Sequence, residues 1–519
     1  MRLFKKILTS ILILLLVMIV GVTFLSGCGR VSIPQTENDV TIKFWRSGVG
    51  QTFLDKAVEN FQKKYPQYRV YIDSSTNRND IKNNFGQGYD VDKVDIWIFP
   101  VDSISSKTLK EYAEPLNNVL TTKYEGESIT IGEKYESSSL EALKWPDNNY
   151  YSLSYGGGWY GIVYNEKIIN GVKYKLPRTT EELEYLTIDL YHDTALKNMP
   201  PYIHYADGGY WDYIYKVWQA QYDGMDYYTN TFMPLNGGES DPAPSKAILL
   251  KEDGRKKAIE AMSRILKPSY VYNGSNSMTF TDAQTLFIQD KAVMMVNGSW
   301  LLNEMKSVSN AGESFKIMKT PVISSIIEKC ATIADDAELA ALIDAIDAAS
   351  NAAEVALSGI GYEVSRADAD KVYEARNIMS NNFDAHGIVI PTYAVAKNAA
   401  KEFVKYFYSD ENLANYWEAT QLPLPVTYSN GNGPDMSTWG GWEAQQQQFT
   451  TSAIPLYSIQ RTSSVIFTAG GARPYAGVNI VSLLTANNAD DRADSSKIWN
   501  TIVLNHTSKW QSYLTNAQL

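Results

Sequence analysis

The sequence predicts an α/β protein built from more than one domain. Segments with the two-residue alternation of strands and segments with the 3.6-residue period of helices follow one another from residue 40 onward. The chain has 519 residues, which at ~150 residues per domain fits three or four domains, or equally two large lobes. Hydrophobic residues make up 44% and charged residues 20%, a balance typical of folded globular proteins.

The first α/β layer is predicted by strands and helices in succession. Residues 40–45 alternate in polarity and are rich in β-formers, and residues 52–65 place Phe and Leu side chains on one helical face before a proline. Residues 69–72 form a second strand and residues 80–85 a short helix. Residues 94–99 (VDIWIF) are almost continuously apolar, which is typical of a strand buried in a parallel sheet. This spacing indicates an α/β layer.

The rest of the chain continues the same alternation, with one helical stretch of unusual composition. Residues 331–356 are rich in alanine and acidic residues, which is typical of a helix with one solvated face. The other predicted elements are a pair of strands at 150–153 and 160–164 around three glycines, helices starting at 180 and 302, helices at 256–266, 282–289, 368–381, 399–408 and 439–450, strands at 291–297 and 388–396, and an amphipathic terminal helix at 495–515.

Composition excludes several classes of function. The net charge of −11 disfavours binding to phosphate backbones, so no nucleic-acid partner is expected. Two cysteines cannot form a disulfide framework. Four dispersed histidines lack the spacing of a zinc site, so neither a metal nor a cofactor is expected. Asp490, Asp491 and Asp494 leave a calcium site open, but a solvated loop explains them better.

The first residues have the pattern of a processing signal. Three positive charges precede an uncharged apolar stretch at 7–25, and the sequence Leu25-Ser26-Gly27-Cys28 resembles the lipobox of bacterial lipoproteins. This resemblance implies a signal peptide at 1–27, a diacylglycerol on Cys28 and a polar tether at 28–38. The alternative is an uncleaved membrane anchor of nearly spanning length.

Three later segments resemble a known family. Residues 95–102 (DIWIFPVD) are similar to a segment that lines the family's cleft, and residues 283–305 (AQTLFIQDKAVMMVNGSWLLNEM) contain its helix, strand and "NG-W" turn. Residues 395–425 resemble its crossover segment. In this order they resemble the extracellular solute-binding proteins of bacterial ABC importers, in the sugar-binding family that includes the maltose-binding protein.

The resemblance implies a two-lobe periplasmic-binding-protein-like α/β fold with discontinuous lobes and a hinge between them. Lobe 1 is expected at 39–150 plus 384–415, and lobe 2 at 151–383 plus 416–519. Residues 324–383 would be a helical insert that compact members lack. Its implied function is to bind a carbohydrate, without catalysis, and deliver it to the transmembrane subunits of the importer. The protein is expected to be a monomer, lipid-anchored at the outer face of the cytoplasmic membrane.

Candidate ligand-binding residues are aromatic side chains beside polar ones, because a sugar presents a C–H face and a rim of hydroxyls. The matching family segments and the predicted strand ends supply ten of them, with Trp439 and Trp442 as possible additional platforms. The ten are Trp45, Arg46, Phe99, Asp102, Trp159, Tyr202, Tyr210, Trp211, Trp300 and Arg473. The aromatic excess favours an oligosaccharide over a monosaccharide.

Three other functions remain open at the level of sequence. The same fold could bind a polyamine or a peptide, for which cleft carboxylates and aromatic cages would be needed. A surface glycoside hydrolase would need a pair of carboxylates ~5–9.5 Å apart, and no segment singles out such a pair. A surface sensor or adhesin could use the helical insert as a contact surface.

Overall fold

The computed structural model describes residues 36–46, 48–236, 244–308, 314–458 and 463–519. The signal-peptide prediction, the tether up to residue 35 and Cys28 lie outside these ranges. None of the helices within them combines the length and the apolar character that crossing a bilayer requires. Nor do the described His, Cys, Asp and Glu side chains gather in groups of three or more that could hold a metal ion.

The first sheet confirms the predicted amino-terminal α/β layer. Its order is β2-β1-β3-β10-β4, parallel among the first three strands and antiparallel at β10. Val40, Ile42 and Phe44 are fully buried, so the predicted alternation packs one face of β1 on the core. The strands are β1 Asp39–Phe44, β2 Arg69–Asp73, β3 Ile96–Pro100, β4 Leu153–Ser154 and β10 His386–Val389.

A buried carboxylate ties this sheet to a distant part of the chain. Asp95, directly before β3, accepts hydrogen bonds from the backbone N–H groups of Val395 and Ala396 at 2.9 and 2.8 Å. Its other oxygen accepts from the N–H of Thr41 at 3.0 Å. These bonds satisfy a carboxylate with no exposed surface and hold residues 395–396, which precede a helix, against the first sheet.

The second sheet lies in the other half of the molecule. Its order is β6-β7-β5-β8, and β5 pairs antiparallel with both β7 and β8. A small parallel sheet joins β9 to β11. The strands are β5 Tyr160–Asn165, β6 Tyr202–Ile203, β7 Met294–Gly298, β8 Phe315–Met318, β9 Ile378–Asn381 and β11 Ile454–Tyr457.

One predicted pairing is wrong. The segments around the three glycines form β4 and β5, but β4 belongs to the first sheet and β5 to the second. The glycines carry the chain from one lobe to the other instead of making a hairpin. The predicted boundaries between the lobes also differ from the observed packing. Leu153 lies in the range predicted for the second lobe, but it packs in the core of the first lobe. Trp417 and Leu424, which lie in the range predicted for the second lobe, pack there as well.

Helices cover the sheets in both lobes. In the first lobe they are Thr52–Lys64, Arg78–Asn84, Tyr89–Asp92, Ser106–Tyr112, Asn117–Leu120, Ile131–Lys134, Ser137–Leu143, Lys397–Phe407 and Asp410–Thr420. In the second lobe they are Thr180–His192, Trp211–Asp223, Met225–Tyr227, Lys246–Leu250, Gly254–Ile265, Phe280–Ile288, Leu301–Glu304, Asp336–Asp347, Arg366–Asn377, Gly441–Ser452, Val465–Thr468, Ile480–Thr485 and Ser495–Ala517.

The predicted helical insert is packed into the second lobe. Its two α-helices, Asp336–Asp347 and Arg366–Asn377, bury Leu339, Ile343 and Val372 in the main hydrophobic core of that lobe. The segment then ends in β9. Only one side of these helices therefore faces solvent, as predicted. The other side is part of the core of the second lobe, which the prediction of a solvated face did not include.

Candidate functional site

A cavity of about 390 Å³ lies between the two lobes, a size typical of small-molecule sites. Both lobes and the segments that cross between them contribute to its walls. The lining residues are Trp45, Gly48, Val49, Arg78, Pro100, Asp102, Gly157, Tyr160, Tyr205, Tyr210, Tyr213, Trp300, Glu304, Asn382, Ala385, His386, Leu422 and Ser458.

The second lobe forms an aromatic wall, which consists of Tyr160, Tyr205, Tyr210, Tyr213 and Trp300. The rings of Tyr160 and Tyr213 are nearly parallel, with centroids 3.6 Å apart. Trp300 meets Tyr160 and Tyr210 edge-on, with centroids 4.9 and 5.7 Å away. Because each ring is held by its neighbours, the wall is ordered before any ligand binds, which limits the conformational entropy lost on binding.

Two glycines fold the tyrosine segment back on itself. Gly208 and Gly209 have φ values of +85° and +63°, a left-handed conformation that glycine adopts readily. The turn brings the rings of Tyr205 and Tyr210 to 5.8 Å, and the helix Trp211–Asp223 begins directly after it. This local geometry explains why a Gly-Gly pair stands inside an aromatic run.

The position of Trp300 depends on Gly298 at the end of β7. A Cβ at position 298 would lie 2.3–2.5 Å from three atoms of the indole ring, so the ring rests against the glycine backbone. We expect Gly298→Ala to displace the indole and to lower both ligand affinity and stability, since overpacking costs about 1–3 kcal/mol. The quenching and emission maximum of tryptophan fluorescence, with and without ligand, would report the displacement. An unchanged emission spectrum and affinity would contradict this account of Gly298.

The first lobe forms a more polar wall with Trp45, Arg78, Asp102 and His386. Arg78 lies 3.8 Å from Asp102 and its guanidinium sits 5.8 Å from the centre of the Trp45 ring. Nδ1 of His386 is 3.1 Å from the hydroxyl of Tyr155. Desolvation inside the cavity raises the pKa of Asp102, although the charges of Arg78 and Arg473, among other contacts, oppose this shift. These groups could donate to and accept from several ligand hydroxyls.

His386 is expected to stay neutral over a wide pH range. Burial, and second the nearby Arg78, lowers its pKa to about 4, against ~6.5 for a free imidazole. Protons therefore favour the unfolded chain as the pH falls from about 6.5 to about 4, so the stability that neutral His386 contributes is lost in that window and is fully present above it. An NMR titration of the imidazole, assigned with His386→Gln, would check this, and a midpoint near 6.5 would contradict it.

The floor of the cavity is formed by two segments that cross between the lobes in opposite directions. The N–H of Tyr155 donates to the carbonyl of His386 at 3.1 Å, and the N–H of Asn382 donates to the carbonyl of Gly158 at 3.2 Å. The side-chain carbonyl of Asn382 accepts from the N–H of Gly158 at 2.8 Å, and its amide donates to the Tyr160 hydroxyl at 3.2 Å. The hinge and the aromatic wall are thus linked by hydrogen bonds.

The two lobes touch above the cavity. The side-chain amide of Asn303 in the second lobe donates to the carbonyl of Gly48 in the first lobe. A Cβ at position 48 would lie 2.7 Å from Cβ of Trp300 and 2.8 Å from Oε1 of Glu304. The loop after β1 therefore packs directly on the residues of the opposite wall.

A cleft between two discontinuous lobes, with a hinge at its floor, can enclose a solute by closing. The sequence model of the family described as bacterial extracellular solute-binding proteins matches residues 56–444. The chain belongs to this family. Among curated proteins, none matches its sequence.

Solved structures show that this solute-binding protein shares its fold with sugar receptors. The bacterial solute receptor AcbH, described as having an exclusive preference for β-D-galactopyranose, is 13% identical, with a TM-score of 0.57 over 91% of this chain and 98% of AcbH. A chitin oligosaccharide binding protein is 13% identical, with a TM-score of 0.58 over 92% and 98%. The apo form of RafE from Streptococcus pneumoniae is 16% identical, with a TM-score of 0.57 over 92% and 99%. At these identities the similarity shows the two-lobe fold alone.

Four of the ten predicted site residues of the solute-binding protein line the cavity. They are Trp45, Asp102, Tyr210 and Trp300. Trp45 directly follows β1, and Asp102 lies in the short turn Val101–Ser103 after β3, as expected for residues at the crevice of an α/β sheet. That these four side chains bind the ligand stays a prediction.

Four other predicted residues are core side chains and do not face the cavity. Phe99 is fully buried and packs on Trp97, 5.9 Å between ring centroids. Tyr202 and Trp211 pack together in the core of the second lobe, and the Tyr202 hydroxyl lies 2.8 Å from that of Thr187. Trp159 is buried against Phe383. Side chains alternate along a strand, so Trp159 faces the core while Tyr160 faces the cavity.

The remaining candidates lie outside the lining. Arg46 and Arg473 are exposed, although Arg473 is near enough to lower the pKa of Asp102. Trp442 is buried and donates its indole N–H to the carbonyl of Ser299 at 3.0 Å. Trp439 packs against the core of the first lobe. Neither tryptophan is an additional platform in this cavity.

Several lining residues are not among the ten predicted site residues. Tyr205 and Tyr213 lie in the same Gly-rich aromatic segment as Tyr210, so the helical spacing of Tyr210 and Tyr213 was an available signal. Glu304 stands four residues after Trp300, so helical spacing also places it on the same side as a predicted site residue. No local sequence pattern predicts that Arg78, Asn382, His386 and Ser458 line the cavity. These residues reach it only through the crossing segments and loops.

Proposed function

We propose that this extracellular solute-binding protein captures a carbohydrate between its lobes and delivers it to the transmembrane subunits of an ABC importer. The observation that supports this proposal is the pairing of two unlike walls. Five ordered aromatic rings of the second lobe face a first-lobe wall that carries Arg78, Asp102 and His386.

The two walls match the two kinds of surface on a pyranose. Its C–H face loses contact with water when it packs on an indole or phenol ring, which contributes about 25 cal/mol per Å² of apolar area. Its hydroxyls need donors and acceptors in fixed directions, which Arg78, Asp102 and Asn382 can supply. The fold similarity to AcbH, RafE and the chitin oligosaccharide binding protein agrees with a carbohydrate ligand.

The test is a ligand panel with residues 29–519. Thermal unfolding and calorimetry would compare oligosaccharides of several linkages, monosaccharides, polyamines and peptides. A ligand at about a thousand times its Kd adds about 4 kcal/mol to the folded state, which raises the melting temperature by a few degrees. Stabilisation by one class of saccharide is the expected result. Stabilisation by polyamines or peptides alone would overturn the proposal.

Product analysis of the same mixtures separates binding from hydrolysis. Asp102 and Glu304 both line the cavity, and glycosidases act through two carboxylates. The family consists of binding proteins, so we expect the saccharide to be recovered intact after prolonged incubation. Stoichiometric recovery with no shorter products is the expected outcome, and time-dependent cleavage that Glu304→Gln abolishes would contradict it.

Membrane attachment through Cys28 is part of the proposal. The full chain should be recovered in the membrane fraction of a bacterial host and should incorporate labelled palmitate. Cys28→Ala should remove the label and block processing of the leader, while Cys330→Ala, the matched control, should change neither. Label that persists in Cys28→Ala would contradict lipidation at this residue.

A further inference from the structure

Glu304 is a carboxylate of the cavity that is held in place by a buried amide. It is the last residue of the helix Leu301–Glu304, which follows the Trp300 platform. The side-chain amide of Gln284 donates to Oε2 of Glu304 at 2.8 Å, and Gln284 itself is only 1% exposed. A buried side chain thus fixes one oxygen of Glu304 and leaves the other without a hydrogen-bond donor from the described residues.

The two carboxylates in the described lining of the cavity, Asp102 and Glu304, differ in whether a positively charged side chain lies nearby. Asp102 lies 3.8 Å from Arg78, and Arg473 and Lys82 also act on it. No described Lys or Arg lies within ion-pair distance of Glu304, and no described charge opposes the effect of burial, which raises its pKa. Among the described residues, counter-charges are therefore present at Asp102 and absent at Glu304.

The surroundings of Glu304 would stabilise a cation. The carboxylate is close enough to Tyr210 to act on its hydroxyl, and Trp300 and Tyr210 meet edge-on beside it. Aromatic faces attract cations through the ring quadrupole, most strongly in partly desolvated sites. The first-lobe loop at Gly48 approaches Oε1 of Glu304, so closing the lobes removes water from this charge.

We propose that the ligand is a saccharide with a free, protonated amino group, which forms an ion pair with Glu304 beneath Trp300 and Tyr210. This inference rests on the proposed carbohydrate function. A hydroxyl can donate a hydrogen bond to Glu304, but it leaves the negative charge uncompensated when the lobes close. An ammonium group supplies both the donor and the counter-charge.

The test compares matched saccharides by calorimetry at low ionic strength. Oligomers of glucosamine, of N-acetylglucosamine and of glucose, each with two to four units, differ mainly at one substituent. We expect the free-amine oligomers to bind about 10- to 100-fold more tightly than the N-acetylated ones, as for buried charge pairs. Glu304→Gln should reduce this preference to less than about threefold, and Asp102→Asn, the matched control, should preserve it.

The outcomes separate the inference from the proposed function. If neutral or N-acetylated oligomers bind as tightly as the free-amine oligomers, or if Glu304→Gln retains the preference, the amino-group inference is overturned and the carbohydrate function stands. If spermidine binds and no saccharide does, both are overturned. Circular dichroism and the melting temperature of Glu304→Gln would establish that the variant is folded before affinities are compared.

Discussion

Replacing Trp300 with alanine is expected to weaken saccharide binding by roughly 30- to 100-fold. The indole lines the cavity and is braced by Tyr160 and Tyr210. Stacking a sugar on it would remove on the order of 100 Å² of apolar surface from water, which corresponds to about 2.5 kcal/mol. The effect should appear mainly as faster dissociation, since the aromatic contact forms only after encounter.

Calorimetry and stopped-flow fluorescence with the most stabilising saccharide of the panel would measure this loss. Trp300→Phe should recover part of the affinity, because a smaller ring still offers an apolar face. Tyr185, which is 58% exposed on a helix of the second lobe and does not line the cavity, provides the control, and Tyr185→Ala should leave Kd unchanged. An unaltered Kd in Trp300→Ala would show that Trp300 is not a platform.

Gly157→Ala is expected to destabilise the protein by about 1–3 kcal/mol and to impair binding. The residue lies in the crossing segment, and a Cβ there would stand 2.7 Å from Cδ1 and 3.0 Å from Cα of Phe383. Because the second contact is with backbone of the other crossing segment, no side-chain rotation relieves it. The two segments must move apart, which disturbs the hydrogen bonds of the hinge and the position of Asn382.

Denaturant unfolding and calorimetry would measure the two effects separately. Gly441→Ala is the matched control, because a Cβ at 441 would meet nothing within 4 Å and the residue begins a helix. Small-angle scattering with and without ligand would report whether Gly157→Ala still closes. A variant with wild-type stability and affinity would show that the hinge tolerates a side chain at this position.

The local elements and the family are predictable from the amino-acid sequence. The helix Thr52–Lys64 was predictable from its single apolar face and the proline that follows, and β3 from its continuous apolar run. The NG-W turn after β7 placed Trp300 in the cavity. For the helix and the strand, the apolar pattern of the segment itself carries the signal. For Trp300 the signal is the resemblance of residues 283–305 to the family's segment with the NG-W turn.

Which side chains meet in the cavity depends on the three-dimensional packing of the chain. This packing assigned β4 and β5 to different sheets and turned Tyr160, not Trp159, toward the ligand space. It also joined Glu304 to His386 and Arg78 in one cavity. Aromatic residues are favoured equally by a core and by a sugar site, so composition could not separate the two. Their roles follow from strand register and from chain crossings between lobes, which depend on contacts between residues far apart in sequence.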